Sequence, residues 1–137
     1  MSLRDDLAAV LARDSRYTIH AYAFIFEAIE YTKTLKKRGR LQPKGRRIPR
    51  ASRHVTGGQL CEGASALAVA HYGMLAKLVL RRWGIRTTAD LGEIVYNLIA
   101  AGDLQKTPSD SRADFDDVFD LEKALAREFT LAVDDVA

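Results

Sequence analysis

The spacing of apolar residues along the chain predicts a mainly helical fold. A helix over about 17–36 is predicted by apolar positions that recur three and four residues apart: Tyr17, Ala21, Phe24, Ile25, Ala28, Ile29 and Thr32. The clearest such stripe, which starts after Thr87 or Thr88 and runs to Gly102, consists of Leu91, Ile94, Val95, Leu98 and Ile99. Shorter stripes predict a first helix beginning near Ser2 and a last helix capped by Asp120: Leu3, Leu7, Val10 and Leu11, and Leu121, Leu125 and Phe129.

Helix-capping residues place the start and end of the central helical region. Thr56-Gly57-Gly58-Gln59 matches a capping box, in which threonine and glutamine side chains bond each other's backbone amides. The buried stripe that follows is predicted to be Leu60, Ala64, Leu67, Ala68 and His71. Gly73 marks an end or a kink, and Gly84 supplies a left-handed cap after a helix that runs to Trp83.

Two short apolar runs after the third amphipathic helix predict a small β-hairpin. Leu104–Thr107 and Phe115–Phe119 flank a turn at Pro108-Ser109-Asp110. The predicted fold class is therefore mainly α, with five or six helices and a hairpin in a single domain spanning residues 1–137. This order of elements resembles a winged helix-turn-helix, and a helical bundle with short connections has the same order. Both architectures stay open at this point.

Composition adds the expectation of one compact, cytoplasmic domain. Of the 137 residues 47% are hydrophobic and 28% are charged, which is an ordinary globular balance. Uncharged apolar stretches are shorter than the roughly 20 residues that span a bilayer, so we expect no membrane span. Charges interrupt the amino-terminal apolar residues, so we expect no signal peptide. The single cysteine, Cys61, permits no internal disulfide and fits a reducing compartment.

The charge is distributed very unevenly along the chain. The formal net charge is +3, yet positions 33–53 carry ten of the 21 basic residues and no acid. Positions 103–137, in contrast, carry ten acidic and four basic residues. Glycines and prolines break any helix through the basic stretch, and residues 42–45 suit a type I turn, which predicts a mobile basic arm or loop at about 36–53.

The basic arm carries the main functional hypothesis. We expect a non-enzymatic protein that contacts nucleic-acid backbone or another polyanion, because lysine and arginine neutralise phosphates and release counterions. The predicted polyanion-binding residues are Lys36, Lys37, Arg38, Arg40, Lys44, Arg46, Arg47, Arg50 and Arg53. No Phe, Tyr or Trp lies between Lys33 and His71, so contacts should be to phosphate rather than by stacking on bases.

Other classes of function stay open beside this hypothesis. The arm could instead be solvated, or could pack on the acidic carboxy-terminal lobe of a protein-interaction or assembly module. DNA, RNA and an acidic protein are all candidate partners, and the oligomeric state is undetermined. The helix over about 88–101 carries Asp90 and Glu93 but no lysine or arginine, which argues against its insertion into a major groove.

Catalytic, metal and cofactor signals are weak. The histidines, His20, His54 and His71, share no short metal-ligand spacing with one another or with Cys61. His71 is expected to be a core histidine, whereas His54 could orient the junction before the Thr56 cap or bind an anion. Helix position would lower the pKa of Cys61, but packing is the commoner role. An enzyme is ranked last, with no catalytic, metal or cofactor residue predicted.

The acidic run from Asp110 to Asp120 is interpreted as a solvated acidic face. It matches a calcium loop in the density of carboxylates only, because the alternating ligand order, central glycine and closing glutamate are missing. Neither a phosphate-binding Walker motif nor a dinucleotide fingerprint is present.

Several short motifs resemble a small family of bacterial proteins found mainly in planctomycetes and verrucomicrobia. The matching runs are His54-Val55-Thr56-Gly57-Gly58-Gln59-Leu60, Trp83-Gly84-Ile85 and Asp90-Leu91-Gly92-Glu93-Ile94-Val95-Tyr96-Asn97-Leu98. Further matches fall at Tyr17, Ala21-Tyr22, Glu27-Ala28, Lys106-Thr107, Asp110-Ser111 and Phe119-Asp120. The resemblance covers about 16–125 and implies a single-domain bacterial cytoplasmic protein. That family has no established activity, so the resemblance implies no site.

Overall fold

A computed structural model describes residues 3–39 and 54–136 of the chain. The helices are α1 (Leu3–Arg13), α2 (Ile19–Lys37), α3 (Gly57–Tyr72), α4 (Ala76–Arg82), α5 (Thr88–Ala100) and α6 (Leu121–Val136). A 3-10 turn at Gly73–Leu75 joins α3 to α4, and a second one lies at Arg112–Phe115. The mainly helical class that the apolar spacing predicts is therefore confirmed.

Local capping chemistry decides where these helices begin and end. Thr56 Oγ1 accepts a hydrogen bond from the amide of Gln59 at 3.2 Å, and Gln59 Oε1 accepts one from the amide of Thr56 at 3.1 Å. This is the predicted capping box. Thr87 caps α5 in the same way with Asp90. Gly84 adopts a φ of 98° after α4, where the amide of Ile85 returns to the carbonyl of Leu80 at 2.8 Å, as predicted.

Close packing of α2 against α3 organises the core. Thr32 of α2 is fully buried, and its hydroxyl donates to the Ala28 carbonyl of its own helix at 2.6 Å. A β-carbon at position 63 of α3 would collide with this Thr32 side chain, so the two backbones can approach only because residue 63 is glycine. Thr32 faces Gly63, and Glu27 meets His71 farther along, so α2 and α3 run antiparallel.

The remaining helices complete one hydrophobic core around this pair. Its buried members include residues of every helix: Val10, Tyr22, Ile25, Leu60, Leu67, Leu80, Leu91, Ile94, Leu98 and Leu121. The predicted faces of α2, α3 and α5 are thus the buried ones, apart from Ile29, His71 and Ile99. Burial of apolar surface on this scale is the dominant stabilising contribution to such a domain.

The predicted hairpin is wrong, because the described residues contain no β-strand. In the loop between α5 and α6, side chains form hydrogen bonds with backbone groups that a partner strand would bond in a hairpin. Asp110 accepts from the amide of Thr107 at 2.7 Å, and Ser111 caps the 3-10 turn. The buried hydroxyl of Thr88 donates to the carbonyl of Phe115 at 2.8 Å and accepts from the amide of Val118 at 3.2 Å. These local bonds compete with a strand ladder.

Without the hairpin there is no wing, so the winged-helix interpretation is not supported. The helix that it would offer to DNA, α5, buries Leu91, Ile94 and Leu98 completely. Near its amino end, the Glu93 carboxylate is in contact with the guanidinium groups of Arg16 and Arg112, at 3.2 and 3.4 Å. The helix α5 is a core element.

One continuous helical run, Gly57–Arg82, has the length and mean hydropathy of a membrane span. The expectation of no membrane span rested only on stretches without any charged residue, so it did not predict such a run. Composition of this kind is also found in core helices of soluble proteins, and 44% of the run's most apolar window is buried inside the fold. Within residues 3–39 and 54–136 no second helix meets the criterion, so the fold has no multi-span arrangement there.

The close approach at Gly63 generates a stability prediction. Gly63→Ala should lower the free energy of unfolding by about 1–3 kcal/mol, because its methyl group must displace Thr32 from a packed site. The matched control is Gly58→Ala in the first turn of the same helix, where a β-carbon meets nothing within 4 Å. That substitution should be neutral or stabilising by up to about 1 kcal/mol. Urea unfolding followed by circular dichroism measures both. Equal stability of the two variants would contradict the close-packing argument.

Candidate functional site

The structure places the beginning of the basic arm at the carboxyl end of α2. Of the nine predicted polyanion-binding residues, Lys36 is half-buried, while Lys37 and Arg38 are exposed. The other six, Arg40, Lys44, Arg46, Arg47, Arg50 and Arg53, lie outside the described residues, as does the predicted turn at 42–45.

A single hydrogen bond brings together the two ends of the arm. Lys36 Nζ donates to the backbone carbonyl of His54, eighteen residues later. Burial lowers the pKa of Lys36. Lys36 is therefore directed into the protein. Lys37 and Arg38 make no ion pair with any carboxylate in the part of the chain that the structure describes. The ammonium of Lys36 serves as an anchor at the junction.

His54 is oriented by a carboxylate from a distant part of the chain. Its Nε2 lies 2.8 Å from Asp110 Oδ1, and both side chains are partly buried. Burial by itself would raise the pKa of Asp110, but hydrogen bonds from the Thr107 amide and the His54 ring outweigh it and hold that pKa below its usual value. Because an ionised carboxylate only accepts, Nε2 carries the hydrogen, which leaves Nδ1 of the ring for a second partner. The interpretation of Asp110 as part of a solvated acidic face is thus wrong.

A cavity of about 430 Å³ lies beside this pair, and we call it the His54 pocket. Its lining comes from α2, the approach to α3, α3 itself, α5 and the loop that follows α5. The lining residues are Ile29, Lys33, His54, Val55, Gly57, Leu60, Val95, Tyr96, Ile99, Leu104, Gln105, Asp110, Ser111, Asp114 and Phe115. The volume lies in the range of small-molecule sites, which combine apolar walls with a few polar groups.

The glycine at position 92 allows the loop after α5 to close this pocket. A β-carbon there would lie 2.6 Å from the β-carbon of Phe115, so only glycine lets Phe115 pack directly on α5. Phe115 is itself buried, and the 3-10 turn that ends with it carries Asp114 into the pocket lining. Tertiary contact thereby adds residues 104–115 to a site whose other members lie on α2, α3 and α5.

Tyr96, one of the residues that line the pocket, has an unsatisfied hydroxyl. Its Oη is inaccessible to solvent and has no hydrogen-bond partner within residues 3–39 and 54–136. Burial, followed by the nearby Asp110 and Asp114 carboxylates, raises the pKa of Tyr96, so the phenol keeps its proton. The guanidinium of Arg112 lies 5.2 Å from the centre of the ring and holds it in place. A buried hydroxyl without a partner costs stability, which makes this atom a candidate contact for a ligand.

Two other candidate residues take no part in this pocket. The prediction of a core histidine at His71 is wrong, because the side chain is exposed and its Nε2 lies 2.5 Å from Glu27 Oε2 on α2. Cys61 is fully buried in α3, as its packing role predicts. Burial, with a contribution from Glu62, raises the pKa of the thiol to about 12, so desolvation outweighs the helix dipole there.

Basic groups outside the arm neutralise the best-connected acidic residues of the second half of the chain. Glu122 accepts from Arg81 at 2.7 Å and from Lys77 at 3.0 Å. Glu93 is in contact with Arg16 and Arg112. No described carboxylate is paired with Lys37 or Arg38, the two exposed arm residues whose side chains the structure describes.

No family model, curated protein or solved structure matches this chain. The resemblance to planctomycete and verrucomicrobial proteins therefore stays a prediction. In the described ranges, no group of three or more His, Cys, Asp and Glu side chains could hold a metal ion.

The His54–Asp110 contact predicts a pH-dependent contribution to stability. Asp110→Asn should lower the free energy of unfolding at pH 7 by about 1–2 kcal/mol, because the charge-assisted bonds are weakened. The pKa of Asp110 is lower in the folded protein than in the unfolded chain, where it is about 4, so the ionised carboxylate stabilises the fold above that pH. This stabilisation is lost as the pH falls through the pKa of the folded state. The difference from wild type should therefore shrink below about pH 4, as measured by urea unfolding across pH. Asp116→Asn, on the exposed part of the same loop, is the control; equal losses would contradict a specific role for Asp110.

Proposed function

We propose that this protein is a non-enzymatic binding protein whose basic arm, residues 36–53, contacts the phosphate backbone of a nucleic acid. The observation that carries the proposal is the exposure of Lys37 and Arg38 at the start of the arm without a carboxylate partner among the described residues. Cations that are not neutralised within their own molecule remain available to phosphates. The alternative, in which the acidic lobe neutralises the arm, receives no support from these two residues.

The geometry at the ends of the arm also supports the proposal. The bond from Lys36 to the His54 carbonyl fixes the point where the chain leaves α2 and the point where it reaches α3. The described chain therefore stops and resumes at one corner of the protein, next to the His54 pocket. A concentrated positive field attracts a polyanion more strongly than the net charge of +3 suggests.

The proposal predicts that affinity depends on the position of the positive charges and not only on their number. Changing Arg46, Arg47, Arg50 and Arg53 to Gln should weaken binding of a 20-nucleotide single strand at least about tenfold. The dependence of log K on log salt should become shallower by about three, since roughly 0.7 counterions are released per single-strand phosphate contact. Fluorescence anisotropy across a salt series measures both quantities.

The matched control removes the same number of positive charges elsewhere. Arg13, Arg82, Arg86 and Arg127 are exposed, and their side chains make no ion pair within the described ranges. Their combined replacement by Gln should change affinity and salt dependence little. Equal losses for the two quadruple variants would show that net charge alone matters and would overturn the assignment to the arm, as would undetectable binding by wild type at 50 mM salt.

A second candidate function is an assembly module, and exposed apolar residues in the 3-10 turn before α4 and in α4 itself favour it. Met74, Leu75 and Leu78 are 74%, 53% and 61% exposed, and their spacing puts them on one helical face. Apolar surface of this kind is characteristic of interfaces when it forms a contiguous patch.

The assembly function predicts self-association through this face. Sedimentation velocity of wild type should show a dimer at micromolar concentration, and Leu78→Ser combined with Met74→Ser should give a monomer because the apolar contact is lost. Ile19→Ser, which removes another exposed apolar side chain on α2, should leave the dimer intact. A wild-type protein that sediments as a monomer throughout would contradict self-assembly.

A further inference from the structure

The His54 pocket has apolar walls that include the aromatic residue Phe115. Leu60, Val95 and Phe115 are buried and supply apolar surface from three separate elements. Ile29 and Ile99 add half-buried aliphatic side chains. Apolar and aromatic surfaces that enclose an unpaired base gain stacking and burial energy whatever the sequence around it. The tertiary structure therefore supplies, next to the arm, the aromatic contact that is missing between Lys33 and His71.

The polar groups of the pocket are mainly hydrogen-bond acceptors. The Asp110 and Asp114 carboxylates accept only, and the bond of His54 Nε2 to Asp110 makes Nδ1 an acceptor when the ring is neutral. The buried Tyr96 hydroxyl has no described partner and can donate or accept. Gln105, Ser111 and the exposed Lys33, which is also paired with Glu30, complete the polar lining. A ligand that presents N–H donors beside a ring nitrogen or carbonyl acceptor matches this set.

The position of the pocket connects it to the cationic arm. Lys33 is the first cation of the positively charged run, and His54 directly follows Arg53, the last cation of that run. Both residues line the pocket. The pocket therefore lies where the described chain meets the two ends of the positively charged run.

We infer that the His54 pocket takes the base of one unpaired nucleotide of a bound strand, and that it favours bases with an exocyclic amino group. The inference rests on the proposed function, which supplies the strand. Cytosine, adenine and guanine carry an amino group that can donate to Asp110 or Asp114, whereas thymine has a carbonyl oxygen in place of the cytosine amino group, and a carboxylate repels that oxygen.

The experiment compares strands that carry the same phosphates and different bases. Fluorescein-labelled decamers of deoxycytidine, of thymidine and of abasic residues are titrated with full-length protein at fixed salt. The wild-type protein should bind the deoxycytidine decamer about tenfold more tightly than the abasic one, and about fivefold more tightly than the thymidine one. Free cytidine monophosphate should compete only weakly if the natural source of the base is a strand, and comparably with the decamer if it is a free nucleotide.

Two variants test whether the pocket produces this difference. Tyr96→Phe removes a hydroxyl that is unsatisfied in the described structure, so it should leave stability unchanged or raise it while reducing deoxycytidine binding about threefold to tenfold. Ile99→Trp should fill the pocket and abolish the preference over the abasic decamer. Both should retain the abasic affinity and its salt dependence, since no phosphate contact changes. Tyr72→Phe, at the far end of α3, and Leu78→Trp, on the exposed face of α4, are the matched controls.

The outcomes separate this inference from the proposed function. Equal wild-type affinity for deoxycytidine and abasic decamers would overturn the base pocket and leave phosphate binding standing. A preference that survives in Tyr96→Phe and Ile99→Trp would overturn it as well, and equal binding of deoxycytidine and thymidine would overturn the amino-group preference. If no decamer binds, the proposed function fails. Saturation-transfer NMR with free cytidine monophosphate then tests the pocket by itself. Binding that Ile99→Trp abolishes supports the base pocket, and no binding overturns it.

Discussion

The steric fit of Gly63 against Thr32 is the constraint on which the rest of the structure depends. It lets α2 and α3 pack closely against each other. The Thr32 hydroxyl donates to the Ala28 carbonyl of its own helix, so it needs no polar partner on α3. Since the two helices run antiparallel, the end of α2 and the beginning of α3 meet at one corner. The bond from Lys36 to the His54 carbonyl fixes that corner and both ends of the basic arm.

The second determinant of the site is the loop between α5 and α6. Its backbone is bonded by Thr88 and by its own aspartates and serine, so it needs no partner strand and follows the surface of α5. Gly92 admits Phe115 against that helix, and Asp110 reaches His54 across 56 positions of sequence. An apolar pocket with a carboxylate–imidazole pair at its edge is the result, and it lies beside the point where Lys36 bonds to the His54 carbonyl.

Electrostatic pairing divides the charged residues of the described chain into two groups. Arg16, Lys77, Arg81 and Arg112 are used internally by Glu93 and Glu122. Lys37 and Arg38 are not used in this way by any described carboxylate. The described part of the acidic half therefore does not neutralise Lys37 or Arg38, and this is the observation behind the proposed polyanion-binding role.

Sequence alone predicted several features that depend only on residues a few positions apart. Apolar spacing predicted the helices, and Thr56, Gln59 and Gly84 marked their ends, because caps and amphipathic faces are local properties. The hairpin was predicted wrongly from two short apolar runs, since the bonds that replaced a ladder come partly from Thr88, far away in sequence. His71 and Asp110 differed from expectation for the same reason: burial and pairing of a side chain are decided by its neighbours in space. Only the tertiary structure could bring His54, Tyr96 and Asp110 to one pocket, because no periodicity connects residues on three separate elements.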